Sequence, residues 1–313
     1  MREYIKKSTF TAPLLSFVVV ILSVFSKWLM TKLSFAQSEE LFLSYIIIEI
    51  VIFVLPGIFY IKMKPAGYTV DLNLVSFGFS ALPLIIIMFF VMAFGGILLS
   101  LLFSVLGVQG SGALSETAIS MVGGEYFSGT GGVVYVSLAL AVVPAFAEEF
   151  IFRGILLREY RDYGILPSVL VTSFLFAILH FDLGRFPFYF AAGLALGFTA
   201  YTTRSTMSSV LLHALFNLFS LFGLPLIANF ISLSAGTVLI LYLAVVFFLL
   251  FLMLAIGEAE RLFMNYSTAG VKSYAPMKRK GIFSPVLELF TPSLFLCLLL
   301  YLLGALQIIH FPE

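Results

Sequence analysis

The sequence predicts an all-α, polytopic transmembrane helix bundle. Three observations carry that reading. Of 313 residues, 61% are hydrophobic and only 11% are charged, more apolar surface than a soluble domain of this length can hide. The apolar residues fall into about nine runs near the length that spans a bilayer. Most of the Lys and Arg residues then fall on one side of the membrane.

The runs are 11–33, 41–63, 76–107, 132–162, 165–183, 186–203, 206–231, 233–257 and 283–309. The first follows the basic start MREYIKK. Ser34-Phe35-Ala36 resembles a signal-peptide cleavage site, but Lys27 and Lys32 are poor chemistry for a signal core, so the run is read as a retained span. Segment Tyr68–Leu74, with Asp71 and Asn73, reads as interfacial. Segment 108–130 is a Gly/Ser/Thr-rich loop, and 258–282, with Lys278-Arg279-Lys280, is a basic one. The fourth run ends in the charged tail RGILLREYRDYG, read as reaching into the cytoplasm, and the seventh is interrupted at Gly223-Leu224-Pro225. Cys297 is the single cysteine, so no internal disulfide is possible, and it reads as a small apolar filler. The whole chain, 1–313, reads as a single membrane domain.

With the N-terminus in the cytoplasm, nine alternating spans place Arg2, Lys6, Lys7, Lys62, Lys64, Arg153, Arg158, Arg161, Arg204, Arg261, Lys272, Lys278, Arg279 and Lys280 on the cytoplasmic side. Those are 14 of the 17 basic residues; Lys27, Lys32 and Arg185 fall on the other side. His310 reads as an interfacial residue. A net charge of +1 gives no reason to expect nucleic acid. The expected surroundings are membrane lipid.

Against this background Glu148 and Glu149 stand out. A carboxylate at bilayer depth costs roughly 2.5–3.5 kcal/mol on insertion scales. Glu149 and Arg153 are i and i+4, on one helix face, and suit an ion pair. Glu148 points about 100° away round the helix and is left for another task. His213 and Asn217 repeat the i, i+4 spacing, and His180 ends a run one turn after Phe176. Each histidine alone is more often a helix–helix hydrogen bond than a catalyst. Three apolar helices presenting such groups make a site hypothesis. Counting at 1.5 Å per residue brings Glu148 and His180 to one level, about 22 and 24 Å from the Tyr163-Gly164 turn.

The set contains no Ser or Cys nucleophile beside a histidine, and no HExxH. Two chemistries remain open. A carboxylate can take a proton from water while the imidazoles and the amide stabilise a developing oxyanion, which is acyl hydrolysis. Alternatively Glu148, His180 and His213 could hold zinc with an open water position. A transporter is disfavoured by the lack of an inverted repeat or paired broken helices.

These residues resemble the CAAX protease and bacteriocin-processing family, also called Abi, whose motifs are EExxxR, FxxxH and HxxxN. Here they read Glu148-Glu149-Phe150-Ile151-Phe152-Arg153, Phe176 to His180, and His213 to Asn217, in that order. The likeness covers about residues 130–220. It implies an eight-helix core and a glutamate-dependent intramembrane endopeptidase without a metal or other cofactor. In that scheme Glu148 is the base and His180 its partner. His213 and Asn217 form the oxyanion hole, and Glu149 and Arg153, with Phe176, support them. The implied substrate is a peptide or lipidated peptide entering from the cytoplasmic side. Short loops and the absence of added domains point to a bacterial cell membrane. Some relatives look like non-catalytic scaffolds or immunity factors of the same fold, which is the competing function.

Overall fold

A computed structural model describes residues 2–32, 38–64, 72–105, 130–224, 237–270 and 291–305. The interfacial positions up to Asp71, the loop 108–129, Pro225, the basic run 278–280, the cleavage-like Ser34–Ala36 and His310 lie outside them. Among the described residues the chain is helical, with no strand.

Among the described residues, nine helical rods occupy the nine apolar segments. They are α1 (Arg2–Lys32), α2 (38–62), α3 (Leu82–Val105), α4 (130–160), α5 (Ile165–Ile178), α6 (Phe186–Thr203), α7 (Thr206–Leu218), α8 (Thr237–Thr268) and α9 (Pro292–Ala305). Six contain a stretch long and apolar enough to cross a membrane: Thr11–Met30, Glu40–Lys62, Phe79–Phe103, Gly132–Tyr160, Thr206–Gly223 and Leu239–Thr268. α5 and α9 are apolar but shorter. α6 is diluted by Thr199, Thr202 and Thr203, all buried. The protein is thus an all-α, multi-pass membrane bundle.

Three rods contain wide π-helical turns, four turns in all among the described residues. Ile50–Val54 interrupts α2, Leu138–Val142 and Phe150–Leu156 interrupt α4, and Phe219–Gly223 extends α7. Two have a plain cause. Pro56 and Pro144 each stand at the second position of the helical segment that follows a wide turn. A proline inside a helix has no N–H to give and collides with the carbonyl four residues back; the wider turn makes room. The turn at Phe150–Leu156 has no proline, and it starts immediately after Glu149.

α4 is the hub of the bundle. It packs on α2, α5, α7 and α1, while α3 bridges α6, α7 and α8. Gly57 lets α2 close onto α4, because a Cβ there would lie 2.5 Å from the Phe150 ring. α8 is held to α3 by stacked rings, with Phe90 against Phe251 at 4.6 Å and Phe94 against Phe247 at 5.2 Å.

One sequence expectation changes. α8 does not end at 257 but continues to Thr268. Ala255, Ala259 and Leu262 are buried at helical spacing, and Tyr266 adds a hydrogen bond to the Thr203 carbonyl at 3.1 Å. The apolar stripe thus outlasts the first charge, Glu258. The charged tail of α4 packs within the bundle. Arg158 and Glu159 are buried, and Glu159 pairs with Lys64 of the α2 end at 3.0 Å.

Candidate active site

The site is built where α4 changes from α- to π-helix. Glu149 is fully buried. Its Oε1 accepts from Arg153 Nη1 and, at 3.0 Å, from His213 Nδ1; its Oε2 accepts from Ser209 Oγ. Three side chains from two helices, α4 and α7, thus satisfy one carboxylate. Arg153, also fully buried, passes the connection on: its Nη2 donates to the Gly193 carbonyl of α6 at 2.9 Å, and its guanidinium lies 4.8 Å from the Phe176 ring centre. Gly193 permits that approach, since a Cβ there would lie 2.9 Å from Ser173 Cα of α5.

A carboxylate only accepts, so the bond to Glu149 puts a proton on His213 Nδ1. Nε2 of the neutral ring is then an acceptor, and it donates only as imidazolium. Asn217, one turn on, donates to the Ala141 carbonyl of α4 at a long 3.5 Å.

Glu148 is different. It is only half-buried and accepts no hydrogen bond from the described residues. Three charged neighbours act on it: Glu49, Glu149 and Arg153. Glu49 ends the first helical segment of α2, and its Oε2 is buried without a hydrogen-bond partner among the described residues. His180 lies just past the end of α5. Its ring meets Phe176 edge-on at 5.2 Å and stacks on Tyr189 of α6 at 3.7 Å. Tyr189 in turn lies within electrostatic reach of Glu148. Phe176 also meets His213 edge-on at 5.8 Å.

Six of the seven motif residues are therefore joined by contacts into one neighbourhood, in two halves, while Asn217, one turn from His213, is tied to Ala141. One half is the closed network of Glu149, Arg153, Ser209 and His213. The other is the open Glu148 with His180. Phe176 stands between them. Sequence reasoning missed Ser209, Glu49 and Tyr189. Ser209 is four residues before His213, on the same helix face, but nothing in that spacing names Glu149 as its partner. Among the described residues, no group of three or more His, Cys, Asp or Glu side chains is gathered so as to hold a metal ion; His213 is turned to Glu149 and His180 to Tyr189.

No curated protein and no solved structure matches the chain. Residues 130–219, from the start of α4 to just beyond Asn217, match the family described as Type II CAAX prenyl endopeptidase Rce1-like, which places this stretch in the CAAX protease family that its three motifs resemble.

Proposed function

We propose that the chain is an intramembrane endopeptidase that hydrolyses a peptide bond with water activated by Glu148. One observation carries the reading most. Glu149 is saturated by three donors, whereas Glu148 beside it accepts none from the described residues. A saturated carboxylate is structural; an open one at the same depth is free to take a proton.

In the reaction, Glu148 removes a proton from water as the water oxygen attacks the scissile carbonyl carbon. The carbonyl π electrons move to oxygen. Asn217 Nδ2 and His213, as imidazolium, donate to that oxyanion. His180 shares the attacking water with Glu148. When the intermediate collapses, the C–N bond breaks and the amine leaves with the proton that Glu148 held. Glu149 orients His213 through Nδ1, as buried carboxylates orient catalytic imidazoles.

The substrate is a peptide with a strongly apolar or lipidated part. An apolar cavity of about 350 Å³ lies between α3, α6 and α8, walled in part by Phe188 and Phe216; the Phe188 ring meets that of Tyr189 edge-on at 5.7 Å. The protein lies in a bacterial cell membrane with its N-terminus cytoplasmic, and the peptide enters from that side. No metal takes part.

The test is cleavage of a peptide library, lipidated and plain, by purified protein, with Glu148→Ala as control. Cleavage that vanishes in the variant supports the reading. A folded wild-type protein that cuts nothing returns the chain to a scaffold or immunity role. Elemental analysis of chelated protein tests the metal-free mechanism. Stoichiometric zinc whose removal kills activity, and whose return restores it, would recast Glu148, His180 and His213 as ligands.

A further inference from the structure

The residue that holds His180 is outside every motif. His180 follows the last turn of α5, where the backbone bends: its N–H reaches the Ala177 carbonyl at 3.3 Å, and Phe181 adopts φ 53°. A side chain just past a helix end is not aimed by helix geometry. Something else must fix the imidazole plane if His180 is to meet one water reproducibly.

We propose that Tyr189 is a positioning residue of this site, whose ring, stacked on the His180 imidazole, fixes the plane in which His180 meets the water. The centroids are 3.7 Å apart and the rings are 18° from parallel, closer than the 4.5–7 Å usual for aromatic pairs. Phe176 closes the imidazole from another direction, edge-on at 76°. His180 is thus held between a face and an edge.

The clamp is itself anchored. The Tyr189 N–H donates to the Arg185 carbonyl at 3.1 Å, and the Arg185 side chain lies within electrostatic reach of the Tyr189 hydroxyl. Arg185 is bound to Asp182, side chain to side chain at 3.3 Å and through its own N–H at 2.9 Å. Asp182 and Arg185 belong to the turn joining α5 to α6, two and five residues after His180. The same turn therefore carries the histidine and the anchor of its clamp. Any tilt of α6 against α5 would be felt by His180 through Tyr189. The Gly193–Ser173 approach holds those two helices together one turn further along α6.

This inference rests on the hydrolytic reading for what His180 does, but not for how it is held. Two readouts separate the two. The first is acylation of imidazoles by diethylpyrocarbonate in full-length protein in nanodiscs, mapped by mass spectrometry; the chain has three histidines, so each is assigned directly. Tyr189→Ala should raise the modification rate of His180 several-fold and leave His213, buried beside Glu149, unchanged. Tyr189→Phe, which keeps the ring, should stay near wild type. Should the alanine variant fail to fold, Tyr189→Leu retains bulk without a flat face and should behave like it. The second readout is library cleavage. Tyr189→Ala should lower kcat roughly 10²-fold by misplacing His180, with KM little changed, and Tyr189→Phe should restore most of it. Equal His180 modification in wild type and in the alanine or leucine variant would overturn the clamp. A wild-type protein that cleaves nothing would instead sink the hydrolytic reading, while His180 protection would still decide the clamp.

Discussion

The two glutamates differ by one residue and by nearly everything around them, so the same substitution should have opposite consequences. Glu148→Gln keeps the shape and removes the base; hydrolysis should vanish while the thermal unfolding midpoint in detergent barely moves. Glu149→Gln removes the charge that balances Arg153 in a fully buried place. Breaking a buried pair costs about 3–5 kcal/mol, so the folded fraction should drop sharply. Equal loss of folded protein in both variants would erase the distinction. His213→Ala and Asn217→Ala should each reduce turnover by roughly 10²–10³, with little change in apparent affinity, as measured by steady-state kinetics. The Glu149–Arg153 contact was legible in the sequence because both partners share one helix, and i, i+4 geometry is fixed before any tertiary fold exists. The contacts from Ser209 and to the Gly193 carbonyl were not. Ser209 lies 60 residues from Glu149 and Gly193 lies 40 from Arg153; a serine and a backbone carbonyl carry no pattern that announces such a partner.

Hydropathy located the rods well and their internal breaks poorly. The wide turns at Ile50–Val54 and Leu138–Val142 could have been inferred from Pro56 and Pro144. The turn at Phe150–Leu156 could not, because its cause is tertiary. There α4 meets α2 at Gly57, α5 at Phe176 and α7 at Ser209. The extended stretch 72–78 was equally hidden. It docks on the start of α7, where Ser205 Oγ and Thr206 Oγ1 donate to the Val75 and Leu72 carbonyls, each at 2.7 Å. The α5–α6 seam offers a direct test. Gly193→Val would drive a side chain into Ser173 and pull the carbonyl away from Arg153. Overpacking of this kind costs about 1–3 kcal/mol. The variant should unfold earlier on heating and lose activity, whereas Gly257→Ala, with nothing within 4 Å of the added Cβ, should do neither.

Across the bundle, the asymmetry of basic residues assigns sides, and two outward-facing positions can check them. Leu183, in the turn between α5 and α6, and Thr268, at the end of α8, are both exposed. A cysteine at Thr268 should react with a membrane-impermeant maleimide only from the cytoplasmic side, and one at Leu183 only from outside. Cys297 is buried and should not confuse the result. The opposite pattern would invert the orientation. Where the described rods lie was readable from apolar runs alone, since solvation by lipid constrains every segment independently. The order in which they surround α4 was not, because lipid-facing and helix-facing surfaces are equally apolar here: α8 alone turns Leu239, Tyr242, Met253 and Met264 outward.

The position of Arg153 bears on how the protein is made. Helices leave the ribosome in order, and α4 is complete well before α7 exists. Ser209 and His213 are therefore unavailable when Glu149 first meets the bilayer. Arg153 is available at once, one turn away on the same helix, and the two charges can travel inward as a neutral couple. Biogenesis thus depends on a bond that in the finished site looks merely auxiliary. In a translocation reporter carrying α4 alone, Arg153→Leu and Glu149→Leu should be non-additive in a double-mutant cycle, because each charge alone costs roughly 2.5–3.5 kcal/mol at depth and the couple costs less than the sum. Ser209→Ala and His213→Ala should leave insertion of α4 unchanged in the full chain and affect only the assembled bundle.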